Sequence, residues 1–220
     1  TPLILVGLSA AVAFRVGIFS IGQMGQMLLG AAAANWIASR FTLPIVIHPL
    51  TALLAAILFG MAYAVLPAIL KLHFNINEIL STILLNYIAL YLVGFIPSGF
   101  GHWIPESARL PSLTPTSKLN LGFSIALAIV FLSLLWLYRT ASGYETRMSG
   151  DNVTFAKFGG INSIRSIYTG MLISGALAGL AGGIEILGVH YRFVDNFTSS
   201  DVFDGVMVAL LGSAHPIGIL

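Results

Sequence analysis

The sequence predicts an all-α, polytopic transmembrane helical bundle, and three observations carry that prediction. Of 220 residues, 57% are hydrophobic and only 8% are charged, against roughly 25% charged in a soluble domain. Mean hydropathy is +0.94. Leu, Ala and Ile dominate the apolar runs, without the alternation that an outer-membrane barrel strand requires. Composition also excludes other classes. The chain has no cysteine, which removes thiol catalysis, disulfides and cysteine-ligated metals. A net charge of +2, from 10 Lys plus Arg against 8 Asp plus Glu, forms no basic patch, so no nucleic acid polymer is expected as a partner.

Apolar stretches run over 1–14, 17–38, 50–70, 79–96, 121–138, 167–189 and 203–220. A helical span needs roughly 20 such residues. The five middle stretches are long enough; the first and last are short, as expected of a bundle truncated at both ends. Residues 1–220 therefore read as one partial transmembrane domain embedded in membrane lipid. Arg15 interrupts the first 38 residues, and an Arg at the bilayer centre costs about 2.5–3.5 kcal/mol. Arg15 is expected at an interface between two segments; a broken helix over 15–22, packed inside protein, is the other reading. Placing the 139–165 loop inside puts Arg15, Lys71, Arg139, Arg147, Lys157 and Arg165 on the cytoplasmic side. Arg40, Arg109, Lys118 and Arg192 are then outside.

Several polar residues interrupt the apolar runs. Gln23 and Gln26 share a helical face among Gly22, Gly25 and Gly30. They either line a polar pathway or bond between helices. Glu78, Thr82 and Asn86 recur at four-residue spacing. Glu78 suits a solvated helix N-terminus, whereas the deeper Asn86 needs partners, either solute or another helix. Gly175, Gly179 and Gly183 form a small-residue ridge for helix packing. Glu185 is an acid at membrane depth, and either acts in transport, snorkels outward or pairs with Arg192. The histidines at 48, 73, 102, 190 and 215 follow no metal-ligand spacing. No nucleophile or acid–base constellation appears either, so an enzyme is not expected.

The polar stretch 139–166 is different. Asp151 or Asn152 can cap a short helix over 153–158, and Gly159-Gly160 can end it. Such a helix presents Phe155 and Phe158, with Lys157 in solvent. That is either a docking knob for a partner's groove or a turn lying on the bilayer.

Within that stretch, Gly143-Tyr144…Gly150-x-Asn152…Ala156…Gly160-Ile161 resembles the cytoplasmic signature of ABC importer permeases for sugars, nucleosides and branched-chain amino acids. Further motifs resemble the nucleoside and simple-sugar branch, which works with basic-membrane-protein-type receptors. They are Ala13-Phe14-Arg15-x-Gly17-x-Phe19-x-Ile21-Gly22-x-x-Gly25-Gln26, Asn77-Glu78-Ile79-Leu80-Ser81-Thr82…Leu85-Asn86-Tyr87, Ile173-Ser174-Gly175-Ala176-Leu177-Ala178-Gly179 and Phe203-Asp204-Gly205…His215-Pro216-x-Gly218. Ser20 stands where that branch usually has Asn, Gln23-Met24 where an acid is usual, and Val153 where Pro often follows the loop Asn.

The resemblance implies the permease subunit of an ATP-driven importer in a bacterial inner membrane, most directly for nucleosides. Gln23, Gln26, Thr82 and Asn86 would then line the substrate pathway. Gly143, Gly150, Asn152, Ala156, Gly160 and Ile161 would couple to an ABC ATP-binding subunit. A second permease subunit and a substrate-binding lipoprotein, facing the 97–120 and 190–204 loops, complete the expected assembly. No Gly-x-x-x-x-Gly-Lys-Ser/Thr loop occurs in the chain, so ATP is expected on the partner and no cofactor here. The alternatives are a permease for sugars or branched-chain amino acids, or an ion-coupled secondary transporter using Glu185 or Glu78.

Overall fold

A computed structural model of the chain describes residues 1–95, 103–113, 119–193 and 199–220. Lys118, His102 and Asp195, like parts of both outer loops, lie outside the described residues. The described α-helices are α1 (Pro2–Arg15), α2 (Gln23–Arg40), α3 (Ile47–Phe74), α4 (Glu78–Gly94), α5 (Leu121–Arg139), α6 (Ala141–Asp151), α7 (Val153–Phe158), α8 (Ser163–Glu185) and α9 (Ser199–Leu211). A π turn, Ile186–His190, extends α8.

Among the described residues, three helices are long and apolar enough to cross a membrane: Ile47–Phe74, Leu121–Arg139 and Ser163–His190. Two of the five stretches expected to cross fall short of that standard. The chain breaks at Gly17, whose φ of 84° is left-handed backbone that stops α1, so α2 starts only at the polar Gln23. The described part of α4 has 17 residues. The broken segment is observed: Arg15 ends α1 beside it, and its guanidinium donates to Ala214 O at 3.1 Å and Ser213 O at 3.2 Å. Those carbonyls close the C-terminal end of α9, where a helix dipole favours a cation.

The extended α8 is the axis of the bundle. In its apolar window 78% of residues are buried, against 39% for α3 and 28% for α5. Small residues explain why. A β-carbon on Gly30 would fall 2.5 Å from the Cα of Gly179, and one on Gly60 would fall 2.8 Å from the same atom. Gly175 faces the Gly60 carbonyl in the same way, and Gly183 faces Ala56 and Leu53. The backbones of α2, α3 and α8 therefore touch, which lets many weak dispersion contacts act at once where water cannot drive association. On the other side of α8, Ser9 Oγ of α1 donates to Ser174 O at 2.7 Å.

The loops sort to two ends. Arg15, Lys71, Arg139, Arg147, Lys157 and Arg165 share the end that carries α6 and α7, while Arg40, Arg109 and Arg192 lie at the other. Glu185 pairs with His190 Nε2 at 3.3 Å. It does not pair with Arg192, whose guanidinium lies over the Trp103 ring. The π turn brings residues five apart onto one side.

Replacing Gly179 by Val forces a side chain into the α3 backbone at Ala56 and Gly60. Overpacking costs about 1–3 kcal/mol where neighbours can yield, and backbone yields less than side chains do. Gly179→Val is expected to lower the thermal unfolding midpoint of the purified protein in detergent. Gly94→Val, where nothing among the described residues lies within 4 Å, is expected to leave it unchanged.

Candidate functional site

The site begins with the break between α1 and α2. Residues 16–22 leave the first N–H groups of α2 without intrahelical partners, and no side chain caps α2 locally. The caps come from α4 instead. Asn86 Oδ1 accepts from Gly25 N at 2.9 Å, and Asn86 Nδ2 donates to Ile21 O at 2.8 Å. One turn earlier, Thr82 Oγ1 accepts from Ile21 N at 3.3 Å and donates to Glu78 O at 2.7 Å. Lys71 Nζ reaches Glu78 at 2.7 Å and so ties the start of α4 to the end of α3. The polar stripe predicted on α4 is thus a clamp on the broken segment.

Asn86 also forms part of a cleft of about 270 Å³, with Ile21 and Met24 from the α2 side, Ile83, Tyr87 and Leu90 from α4, and Phe203 from α9. No lining residue is charged. A larger groove along α5, of about 560 Å³, is lined by apolar side chains apart from Ser124. Among the residues predicted for a pathway, the structure brings Thr82 and Asn86 to the clamp and Asn86 to the cleft. Gln23 and Gln26 are fully buried in the bundle and do not line the cleft. Both amide atoms of Gln23 and Oε1 of Gln26 have no hydrogen-bond partner among the described residues. A buried polar group in that state costs about 1–3 kcal/mol. Tyr87, Met24 and Phe203 were missed by sequence reasoning; the only signal was an aromatic ring beside Asn86 in a polar stripe.

The 139–166 stretch holds two helices rather than one. α7 runs Val153–Phe158, with Asn152 Oδ1 accepting from Phe155 N at 3.0 Å. It ends in a Schellman arrangement: Ile161 N donates to Ala156 O and Gly160 N to Lys157 O. Gly160 has φ of 76°, the left-handed residue such an ending requires. Ala156 is buried, while Phe155 is 64% and Phe158 89% exposed. Before α7, α6 packs through glycines. Gly143 lies against the Trp136 and Leu137 backbone at the end of α5, and Gly150 lies against Arg15 and Gly17. The signature residues other than Tyr144 thus have a geometric reason: close approach at Gly143 and Gly150, a cap at Asn152, and a helix ending built from Ala156, Gly160 and Ile161.

An uncharged cleft with one buried amide in its lining thus sits in a helical bundle that has, among the described residues, three helices long and apolar enough to cross a membrane. The chain belongs to the family described as branched-chain amino acid transport system / permease component, whose profile matches residues 1–220. It is 39% identical to the guanosine ABC transporter permease protein NupP of Bacillus subtilis (strain 168), over all of this chain and 67% of that protein. It is 35% identical to the nucleoside ABC transporter permease protein NupB of Lactococcus lactis subsp. cremoris (strain MG1363), over all of this chain and 66% of the relative. It is also 32% identical to the glucose ABC transporter permease protein TsgB13 of Haloferax volcanii, over 96% of this chain and 61% of that one. The chain spans about two-thirds of the length of these relatives. No solved structure matches it.

Removing the clamp amide tests the site's construction. Asn86→Leu leaves Gly25 N–H and Ile21 C=O without partners, at about 1–3 kcal/mol each. Hydrogen exchange at Gly25 is expected to quicken by roughly tenfold or more, with exchange at Ala178 and Ala181 in α8 unchanged.

Proposed function

We propose that the chain is the membrane-spanning subunit of an ATP-driven nucleoside importer in a bacterial inner membrane. The observation that carries this reading is likeness over the whole chain to two permeases named for guanosine and nucleosides, at 39% and 35% identity. The cleft chemistry supports it against an amino acid. A zwitterion would bring two charges into a lining with no counter-charge, and burying an unpaired charge is expensive. A neutral solute with hydrogen-bonding edges meets no such penalty. The pathway acids are paired, Glu78 with Lys71 and Glu185 with His190, which favours ATP drive over ion coupling.

The proposed mechanism runs through these contacts. Phe155 and Phe158 on α7 dock into a groove of the ATP-binding subunit, which holds the nucleotide. Closure of that subunit displaces α6, whose Gly150 rests on the backbone of Arg15 and Gly17. The displacement reaches Ile21, and through Thr82 and Asn86 it changes where the α2 segment stands relative to α4. A ligand shifts such an equilibrium only through contacts that differ between the two states, and the clamp supplies them at the cleft wall. The Gln23 amide and Oε1 of Gln26, which have no partner among the described residues, offer hydrogen bonds to water or solute as the path opens. A second permease subunit completes the pathway, and a substrate-binding lipoprotein delivers solute at the end opposite α7.

Radiolabelled guanosine, glucose and leucine uptake into cells carrying the full-length permease with its neighbouring subunits tests this. Guanosine is expected to accumulate, and Phe158→Asp at equal membrane level is expected to cut uptake by roughly tenfold or more, the scale of losing one anchor aromatic. Leucine or glucose uptake without guanosine would overturn the substrate. Undiminished guanosine uptake in Phe158→Asp would overturn the coupling role of α7.

A further inference from the structure

We infer that the cleft between α2, α4 and α9 reads the base of the solute: Tyr87 and Phe203 are its stacking walls and the Asn86 amide is its edge reader. This rests on the nucleoside reading above and adds a specificity site within this chain.

Counting valences at Asn86 makes the first part of the case. An Asn side chain offers two N–H donors and two acceptor lone pairs. One donor is occupied by Ile21 O and one lone pair by Gly25 N. One donor and one acceptor remain on a side chain that lines the cleft and is 7% exposed. The two occupied bonds fix the amide plane, so the remaining pair is held in one orientation. An adjacent donor and acceptor of this kind match the complementary pair on the edge of a purine base. Enzymes that accept single bases read them by edge hydrogen bonds together with stacking between aromatic or apolar side chains.

The walls make the second part. Tyr87 follows Asn86 directly, Phe203 comes from α9, and both rings are more than half exposed. Tyr87 lies nine residues into α4, about 14 Å along the helix from Glu78. Tyrosines of membrane proteins are enriched at the two interfaces, so this depth is not where an anchoring tyrosine belongs. Facing a cleft whose other lining residues are Ile21, Met24, Ile83 and Leu90, the two rings present flat surfaces to a planar base, and stacking of that kind tolerates different bases. A free pentose has no π-face to offer. The clamp and the reader are the same amide, so base binding and the position of the broken segment are coupled.

The test is equilibrium binding of labelled guanosine to the purified permease–ATPase complex in lipid nanodiscs without the receptor lipoprotein, whose own affinity would mask the site. Binding is expected to be saturable and displaced by free guanine but not by ribose. Tyr87→Leu and Phe203→Leu are expected to weaken it by roughly tenfold or more, and Tyr87→Phe by no more than about threefold. Equal thermal midpoints in all variants guard against misfolding. Displacement by ribose as effective as by guanine would overturn the proposal. So would parent-like binding in both Leu variants, or no binding in a parent complex whose cells import guanosine. Those outcomes leave the import reading standing, whereas cells of the parent that import no guanosine overturn that reading itself.

Discussion

Gly30, Gly60 and Gly179 meet where α2, α3 and α8 cross, and no β-carbon fits at any of the three positions. Within a membrane there is no hydrophobic drive to press helices together, so close approach has to come from side chains that are absent. That contact fixes the height of α2 against α8. The height of α2 in turn fixes where its first turn falls, and therefore which residues of α4 can reach it. Asn86 and Thr82 reach it because Gly22 and Gly25 leave room: a β-carbon at Gly25 would meet Tyr63, Ala89 and Asn86 at 2.9–3.2 Å.

A second consequence is economy in the broken segment. A gap between helices in a membrane interior exposes donors and acceptors that lipid cannot satisfy. Here one amide and one hydroxyl of α4 pair with Ile21 N, Ile21 O and Gly25 N, and Ser20 Oγ accepts from Gly22 N, while Arg15 is drawn to the end of α9. The segment touches α6 on one side and the cleft on the other. It meets both the stretch carrying the exposed phenylalanines, through α6, and the wall of the candidate site, through Ile21.

Much of this is legible in the sequence, and the exceptions have physical causes. α3, α5 and α8 announce themselves by length and apolarity, and α7 by Asn152 and Gly159-Gly160. α6 does not, because Ala-Ser-Gly-Tyr-Glu-Thr-Arg-Met-Ser-Gly-Asp is polar and includes weak helix formers; its helix depends on Thr140 capping Gly143 and on backbone contact at Gly143 and Gly150. The break over 15–22 is legible as one of two readings, but not the start of α2 at Gln23, because residues 17–22 are as apolar as a span. The stripe of Glu78, Thr82 and Asn86 is visible, but its partner is a backbone 61 to 65 residues away. Pairing of Glu185 with His190 needs a π turn that ordinary helical spacing does not suggest. Tyr87 and Phe203 look like any other aromatic in an apolar run.

The central claim is that α7, α6 and the 16–22 segment move as one body and that this movement changes the cleft. Because these 220 residues contain no cysteine, pairs of spin labels can be placed in them without background from this stretch. Double electron–electron resonance on the full transporter would compare Phe19→Cys/Thr154→Cys with Ile83→Cys/Phe203→Cys, in the presence and absence of a non-hydrolysable ATP analogue. The first separation is expected to stay constant while the second, across the cleft, changes. A first separation that changes while the cleft distance holds would contradict the account.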